Sequence, residues 1–142
     1  MEQRQQLKAH AHSVFRLYYH MVFVTKYRRK VINAAMLRDL GQVFERLLER
    51  WGCELLEFQG EPDHVHLLVD AHPDLNLSSL VNNLKTISSR YLRKHHPERC
   101  AQFYRKPVLW TRSYCVISAG GAPLDILKRY IQNQAGTEEL DN

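Results

Sequence analysis

No run of apolar residues in this chain is long enough to span a bilayer, no secretory signal is visible, and no internal repeat or low-complexity segment appears. A membrane-spanning protein and a solenoid are therefore not expected. Cysteine is scarce as well. Cys53, Cys100 and Cys115 are odd in number and lack metal-ligand spacing, which argues against a disulfide framework and for a reduced, cytoplasmic protein. What remains is 142 residues with 44% hydrophobic content, enough for one compact domain over residues 1–142, with 1–12 and 135–142 expected as flexible ends.

The net charge of +5 is unevenly spread. Residues 1–30 hold seven Lys or Arg against one acid, and residues 85–112 hold eight against one, whereas 31–84 and 113–142 are both net acidic. Two basic blocks on an acidic body suggest a phosphate-binding surface, carried by Arg28, Arg29 and Lys30 in the first block and by Lys85, Arg90, Arg93, Arg105, Lys106 and Arg112 in the second. A solvated charge run is the alternative for Arg28-Arg29-Lys30 taken alone. Phe103, Tyr104 and Trp110 lie among the second set, in a segment that also holds Pro97 and Pro107 and is not expected to form one regular element. Such rings can stack unpaired bases, yet Trp110 and Tyr114 suit the core at the start of a strand equally well.

The sharpest local signal is Pro62-Asp63-His64-Val65-His66-Leu67-Leu68-Val69. A strand sends alternate side chains to one face, so His64 and His66 project side by side with backbones about 6.6 Å apart, while Val65 and Leu67 face the core. Spacing alone is weak evidence. With eight histidines in the chain, about 0.4 such pairs arise by chance, and His10-Ala11-His12 repeats the spacing in a polar stretch read as solvated tail. Context separates the two, because only the later pair sits inside an apolar strand. Asp63 fits a turn, its favoured role, or a partner for the site.

Beyond Gly120-Gly121, Leu124, Leu127 and Ile131 recur at helical spacing, with Pro123 suited to the first helical position. Tyr130 and Gln134 are four apart and so share one helix face, where an oxygen donor from Gln134 could join the two histidines.

Periodicity also outlines the fold. Residues 14–25 read as a strand apolar on both faces, hence central in a sheet. Met36, Leu37, Leu40, Val43, Phe44, Leu47, Leu48 and Trp51 form a helical stripe that Gly52 ends. Strands follow at 53–58 and 64–70, joined by a turn over 59–63. A second amphipathic helix carries Leu77, Leu80, Val81, Leu84, Ile87, Tyr91 and Leu92, and residues 113–118 supply a fourth strand. The order strand, helix, strand, strand, helix, strand is the α+β, ferredoxin-like or RRM-like plan, an antiparallel sheet with helices packed on one face, to which the C-terminal helix is added.

Together, Pro62-Asp63-His64-Val65-His66-Leu67-Leu68, Leu109-Trp110 with Ser113-Tyr114-Cys115, Tyr18-Tyr19-His20 leading to Lys26-Tyr27-Arg28, and Tyr130-Ile131-x-x-Gln134 resemble the small single-tyrosine transposases of the HUH endonuclease superfamily. The resemblance covers nearly the whole chain. It implies that His64, His66 and Gln134 hold magnesium or manganese, with no organic cofactor. It further implies that Tyr130 is the nucleophile on single-stranded DNA, and that cutting and rejoining proceed through a 5′-phosphotyrosine. By the same resemblance the substrates are DNA hairpins at element ends, the assembly is a homodimer with shared active sites, and the setting is a bacterial or archaeal cytoplasm. Physical chemistry agrees with this scheme, since a cation favours the phenolate of a group whose ordinary pKa is about 10.

Two rivals compete. A non-catalytic single-stranded RNA- or DNA-binding module of the same fold plan explains the charge and the aromatics, but not the histidine pair or the Tyr130–Gln134 face. A zinc hydrolase built on His64 and His66 lacks an evident carboxylate at ligand spacing.

Overall fold

The computed structural model describes residues 17–118 together with Lys128, Arg129, Ile131 and Gln132. The elements run β1 (Leu17–Val24), α1 (Ala34–Arg50), β2 (Glu54–Glu61), β3 (His64–Ala71), α2 (Leu77–His95), α3 (Pro97–Phe103) and β4 (Cys115–Ser118), with one short 3-10 turn at Lys26–Arg28. The four strands form one antiparallel sheet in the order β2-β3-β1-β4. This is the α+β, ferredoxin-like arrangement expected from the order of elements, with β1 and β3 in the centre.

The two long helices start where the sequence supplies an acceptor for an orphan amide. Asn33 accepts from Met36 N at 2.9 Å to cap α1, and Asn76 accepts from Ser79 N at 3.1 Å to cap α2. Gly52, at φ 74°, turns the chain out of α1 into β2 in a conformation that side chains rarely adopt. Met36, Leu40, Phe44 and Leu48 from α1 and Leu80, Leu84 and Leu92 from α2 are wholly buried against Met21, Phe23, Val65 and Leu67 of the sheet. Phe44 sits at the middle of this core, with its ring edge-on to Phe23 at 5.8 Å and to Phe58 at 5.7 Å. Among the described residues no helix is long and apolar enough to cross a membrane.

Two expectations need correction. Gln59, Gly60 and Glu61 are strand, not turn: they pair with His66, Val65 and His64, so the hairpin closes over Pro62 and Asp63 alone. The polar composition of 59–61 suggested a loop, but cross-strand pairing and the packing of Gly60 beneath Leu37 hold the segment extended. Residues 97–103 form a short helix, started by Pro97 at its first turn, where the missing amide costs nothing, but residues 104–112 do not continue it, so that segment is not one regular element, as expected. The fourth strand begins at Cys115 rather than at 113. The tails at 1–12 and 135–142, and Gly120-Gly121, lie outside the described residues.

Phe44→Ala is expected to lower the unfolding free energy by about 3–5 kcal/mol, the usual cost of emptying a well-packed aromatic site. Urea denaturation measures it, and a loss below about 1 kcal/mol contradicts this account of the core.

Candidate active site

Strand alternation divides β1 and β3 between two jobs. Met21, Phe23, Val65, Leu67 and Val69 point at the helices, whereas Tyr18, His20, His64, His66 and Leu68 share the other face. All eight residues of β3 are buried, so that second face is covered too. Part of the cover is Ile131, which is 1% exposed and packs with Tyr18 and Leu68, Leu56 joining at the edge.

His64 and His66 lie side by side as the spacing predicts, with ring centroids 5.0 Å apart and planes at 83°. Each ring is held by its Nδ1. His64 donates from Nδ1 to Asp63 Oδ1 at 2.7 Å, and Asp63 Oδ2 lies 3.5 Å from Arg28 Nε. Asp63 is thus both turn residue and partner of the site, where the sequence had favoured the turn. Its backbone carbonyl also accepts from Thr25 N at 2.9 Å and from Thr25 Oγ1 at 3.1 Å, which fixes the hairpin end against β1.

His66 Nδ1 is 2.9 Å from Nε2 of His20, with the two rings nearly parallel. Either nitrogen can donate in that pair. If His66 donates, its lone pair sits on Nε2, the same tautomer that Asp63 imposes on His64. Both rings then present Nε2 as a metal-ligand atom, each oriented through its other nitrogen in the manner common to metal-binding imidazoles. Burial pushes His66 down to about 4, with His64 and His20 nearby adding to the effect, and burial lowers His20 also. His66 is therefore a neutral imidazole near pH 7, the form that binds a divalent cation. Among the described residues no three His, Cys, Asp or Glu side chains converge on one point, so the pair supplies two donors and a complete shell needs another.

His20 counts toward the resemblance through Tyr18-Tyr19-His20, yet nothing local assigns it to the site. It lies opposite Leu68, diagonal to His66, and only the register of β1 on β3 reveals the contact.

The turn after β1 carries an irregular backbone. Tyr27 (φ 60°) and Arg28 (φ 53°) are consecutive non-glycine residues in the left-handed region, a conformation that costs about 1–3 kcal/mol each and persists only where the surroundings impose it. Here the imposing contacts are Lys26 N to Leu109 O at 2.7 Å, Arg28 N to Thr25 O at 2.9 Å, Thr25 Oγ1 to Arg29 O at 2.7 Å and Tyr104 Oη to Lys26 O at 2.7 Å.

Of the basic residues singled out, Arg28, Arg29, Lys30, Arg90, Arg105, Lys106 and Arg112 are exposed. Lys85 is committed elsewhere: its ammonium donates to the carbonyls of Thr111, Arg112 and Ser113 and lies 5.5 Å from the Tyr114 ring centre, tying α2 to the segment before β4. Arg93 is half-buried and donates to Ser89 Oγ at 3.2 Å. A groove of about 480 Å³ runs between α2 and residues 107–112, with Lys85, Arg93, Thr86, Ser89 and Arg112 on its walls. The aromatics of this region are structural. Trp110 is buried, edge-on to Phe23 at 5.9 Å, and donates from Nε1 to Ser88 Oγ at 2.9 Å, while Tyr104 is also buried. The core alternative therefore holds for Trp110, and Tyr114 is 40% exposed.

Tyr130 and Gln134 lie outside the described residues. Their neighbours Lys128, Arg129, Ile131 and Gln132 are helical, in line with the helix expected there.

The family described as "Transposase IS200 like" matches residues 13–134. The chain is 30% identical over 133 residues to the transposase for insertion sequence element IS200 of Salmonella typhimurium, covering 94% of this chain and 86% of that protein. It is 28% identical over 125 residues to the ISDra2 transposase TnpA of Deinococcus radiodurans, covering 88% of this chain and 89% of that protein. A crystal structure from Deinococcus radiodurans R1, assigned as a transposase, superposes with a TM-score of 0.68 at 31% identity over 84% of this chain and 91% of that one. A REP-associated tyrosine transposase bound to a REP hairpin shares the fold at TM-score 0.54 and 11% identity, over 81% of this chain and 61% of that one.

The lowered pKa of His66 has a consequence for stability. Below its unfolded value of about 6.5 the unfolded chain takes up a proton that the folded chain refuses until about 4, so unfolding gains as pH falls through that window. Metal-free protein is expected to lose up to about 3 kcal/mol between pH 6.5 and pH 4. Thermal or urea unfolding across that range checks this, and a His66→Gln variant with an equally steep loss contradicts it.

Proposed function

The chain belongs to the IS200-like transposase family, and from that premise we propose that it cuts and rejoins single-stranded DNA at insertion-sequence ends, using Tyr130 as nucleophile and a divalent ion held by His64, His66 and Gln134. One observation carries this reading: the sheet face that bears two Nδ1-anchored imidazoles is the face on which Ile131, the residue after Tyr130, is buried. Magnesium or manganese bound there would polarise the scissile phosphate and favour the phenolate of the tyrosine.

The residues of this chain divide the remaining work. Asp63 and His20 orient the imidazoles, and burial keeps His66 neutral. The Tyr130 hydroxyl attacks phosphorus in line. The bond to the 3′ oxygen breaks, that oxygen takes up a proton, and the 5′ phosphate stays on the tyrosine as an ester. The liberated 3′ hydroxyl, or that of another strand, can attack the ester in turn, so strands rejoin without an outside energy source. Exposed Arg28, Arg29, Lys30, Arg90, Arg105, Lys106 and Arg112 supply a salt-sensitive hold on the phosphates, with Lys85 and Arg93 lining a groove beside them. Hairpin ends are the proposed substrates, in keeping with the hairpin-bound protein of the same fold.

The binding-module alternative is less favoured. RRM-type modules stack bases on aromatics exposed on the sheet, whereas here that face presents His20, His64 and His66, each at most 2% exposed. A homodimer with shared sites is part of the proposal. Exchange of the last helix would carry Ile131 onto the Tyr18–Leu68 patch of the second subunit, and cleavage by a mixture of His64→Ala and Tyr130→Phe chains, each inactive alone, reads it out.

Wild-type protein with manganese and a hairpin oligonucleotide is expected to form a covalent adduct that survives denaturing gel electrophoresis. Tyr130→Phe abolishes the adduct while binding stays within about twofold. His64→Ala and His66→Ala abolish it and weaken manganese binding, whereas His10→Ala and His12→Ala do neither. An adduct that persists in Tyr130→Phe, or equal activity in all four histidine variants, overturns the assignment.

A further inference from the structure

Tyr27 stands out among the described residues as a large aromatic turned to solvent, 72% exposed, in a turn held by hydrogen bonds at Lys26, Arg28 and Arg29. A tyrosine in a left-handed conformation is unfavourable, and two such residues in succession are more so. The surrounding hydrogen bonds nonetheless fix the turn, from Tyr104 through Lys26 and from Thr25 through Arg28 and Arg29. That effort does not bury the ring. It presents it.

The surroundings of the ring define what it fits. Lys26 Nζ lies 5.4 Å from the ring centre, and Arg28, Arg29 and Lys30 follow directly, all exposed. An aromatic platform beside a line of cations matches the two parts of unpaired nucleic acid, a flat base and a charged backbone. The position matches too, because Arg28 reaches Asp63 at 3.5 Å and Asp63 holds His64 at 2.7 Å. The residue next to Tyr27 therefore touches the support of the candidate metal site.

We infer that Tyr27 is a stacking platform for an unpaired DNA base next to the scissile phosphate, with Arg29 and Lys30 holding the adjoining backbone. This rests on the proposed action on single-stranded DNA and adds a contact to it. The rigid turn supports affinity because the ring is ordered before DNA arrives, so little conformational freedom is lost on binding.

The test titrates a single-stranded oligothymidine carrying one central 2-aminopurine, whose fluorescence falls when an aromatic ring stacks on it, into wild type and four variants at low salt. Wild type is expected to quench the probe. Tyr27→Ala and Tyr27→Gly are expected to lose the quenching and bind roughly 5- to 150-fold more weakly, the range that one stacked base supplies. Tyr27→Phe, which keeps the ring, stays within about twofold. Arg29→Ala binds more weakly and with a shallower salt dependence but keeps the quenching. The glycine variant guards against a folding artefact, because glycine adopts φ 60° without strain and should melt no lower than wild type. Undiminished binding and quenching in the alanine and glycine variants overturn the inference, as does a loss in Tyr27→Phe equal to that in Tyr27→Ala. Wild type that binds no single-stranded DNA overturns the proposed function along with it.

Discussion

The register in which β1 lies against β3 decides what both faces of the sheet can do. With Val22 opposite His66 and Val24 opposite His64, Met21, Phe23, Val65 and Leu67 all face the helices, and the imidazoles all face away. A slip of one residue would exchange the faces, burying the histidines among leucines and sending Phe23 out. The hydrophobic load of the core face makes such a slip prohibitive, since each large apolar side chain moved to water costs about 1.5–3 kcal/mol. Packing on one side of the sheet thereby secures geometry on the other, including the diagonal from His20 to His66.

The hairpin end and the turn after β1 form one unit around the site. Asp63 uses its carbonyl to hold Thr25 and its carboxylate to hold His64 and meet Arg28. Thr25 in turn bonds Arg29, and Tyr104 bonds Lys26. The strained pair Tyr27–Arg28 therefore sits in a frame that also fixes one imidazole, which links the basic surface to the histidine-bearing face through a few short bonds. Lys85 does a similar service on the far side by gathering three carbonyls before β4.

Much of this was legible in the residues themselves. The period-2 run through Val65 and Leu67 and the 3.6-residue stripes of α1 and α2 report burial directly, and burial is what folds the chain. The parts that were not legible depend on partners distant in sequence. His20 needs the register of a strand 46 residues away, Asp63 needs the hairpin to close in two residues, and Lys85 needs the carbonyls of residues 111–113. The aromatics of residues 103–110 looked like a stacking set because local sequence shows composition but not direction; Trp110 and Tyr104 turn inward, while Tyr27 turns out. Tyr130 and Gln134, on which the proposed chemistry rests, lie outside the described part of the chain.

The central claim is that both imidazoles are held by Nδ1, which leaves Nε2 as the atom that would face the proposed ion, and nitrogen-15 chemical shifts of the histidine side chains in metal-free protein near neutral pH report it most directly. The account predicts that His64 and His66 both carry their proton on Nδ1, that Asp63→Ala disturbs His64 alone and that His20→Ala disturbs His66 alone. A proton on Nε2 of either ring in the wild-type protein would contradict it.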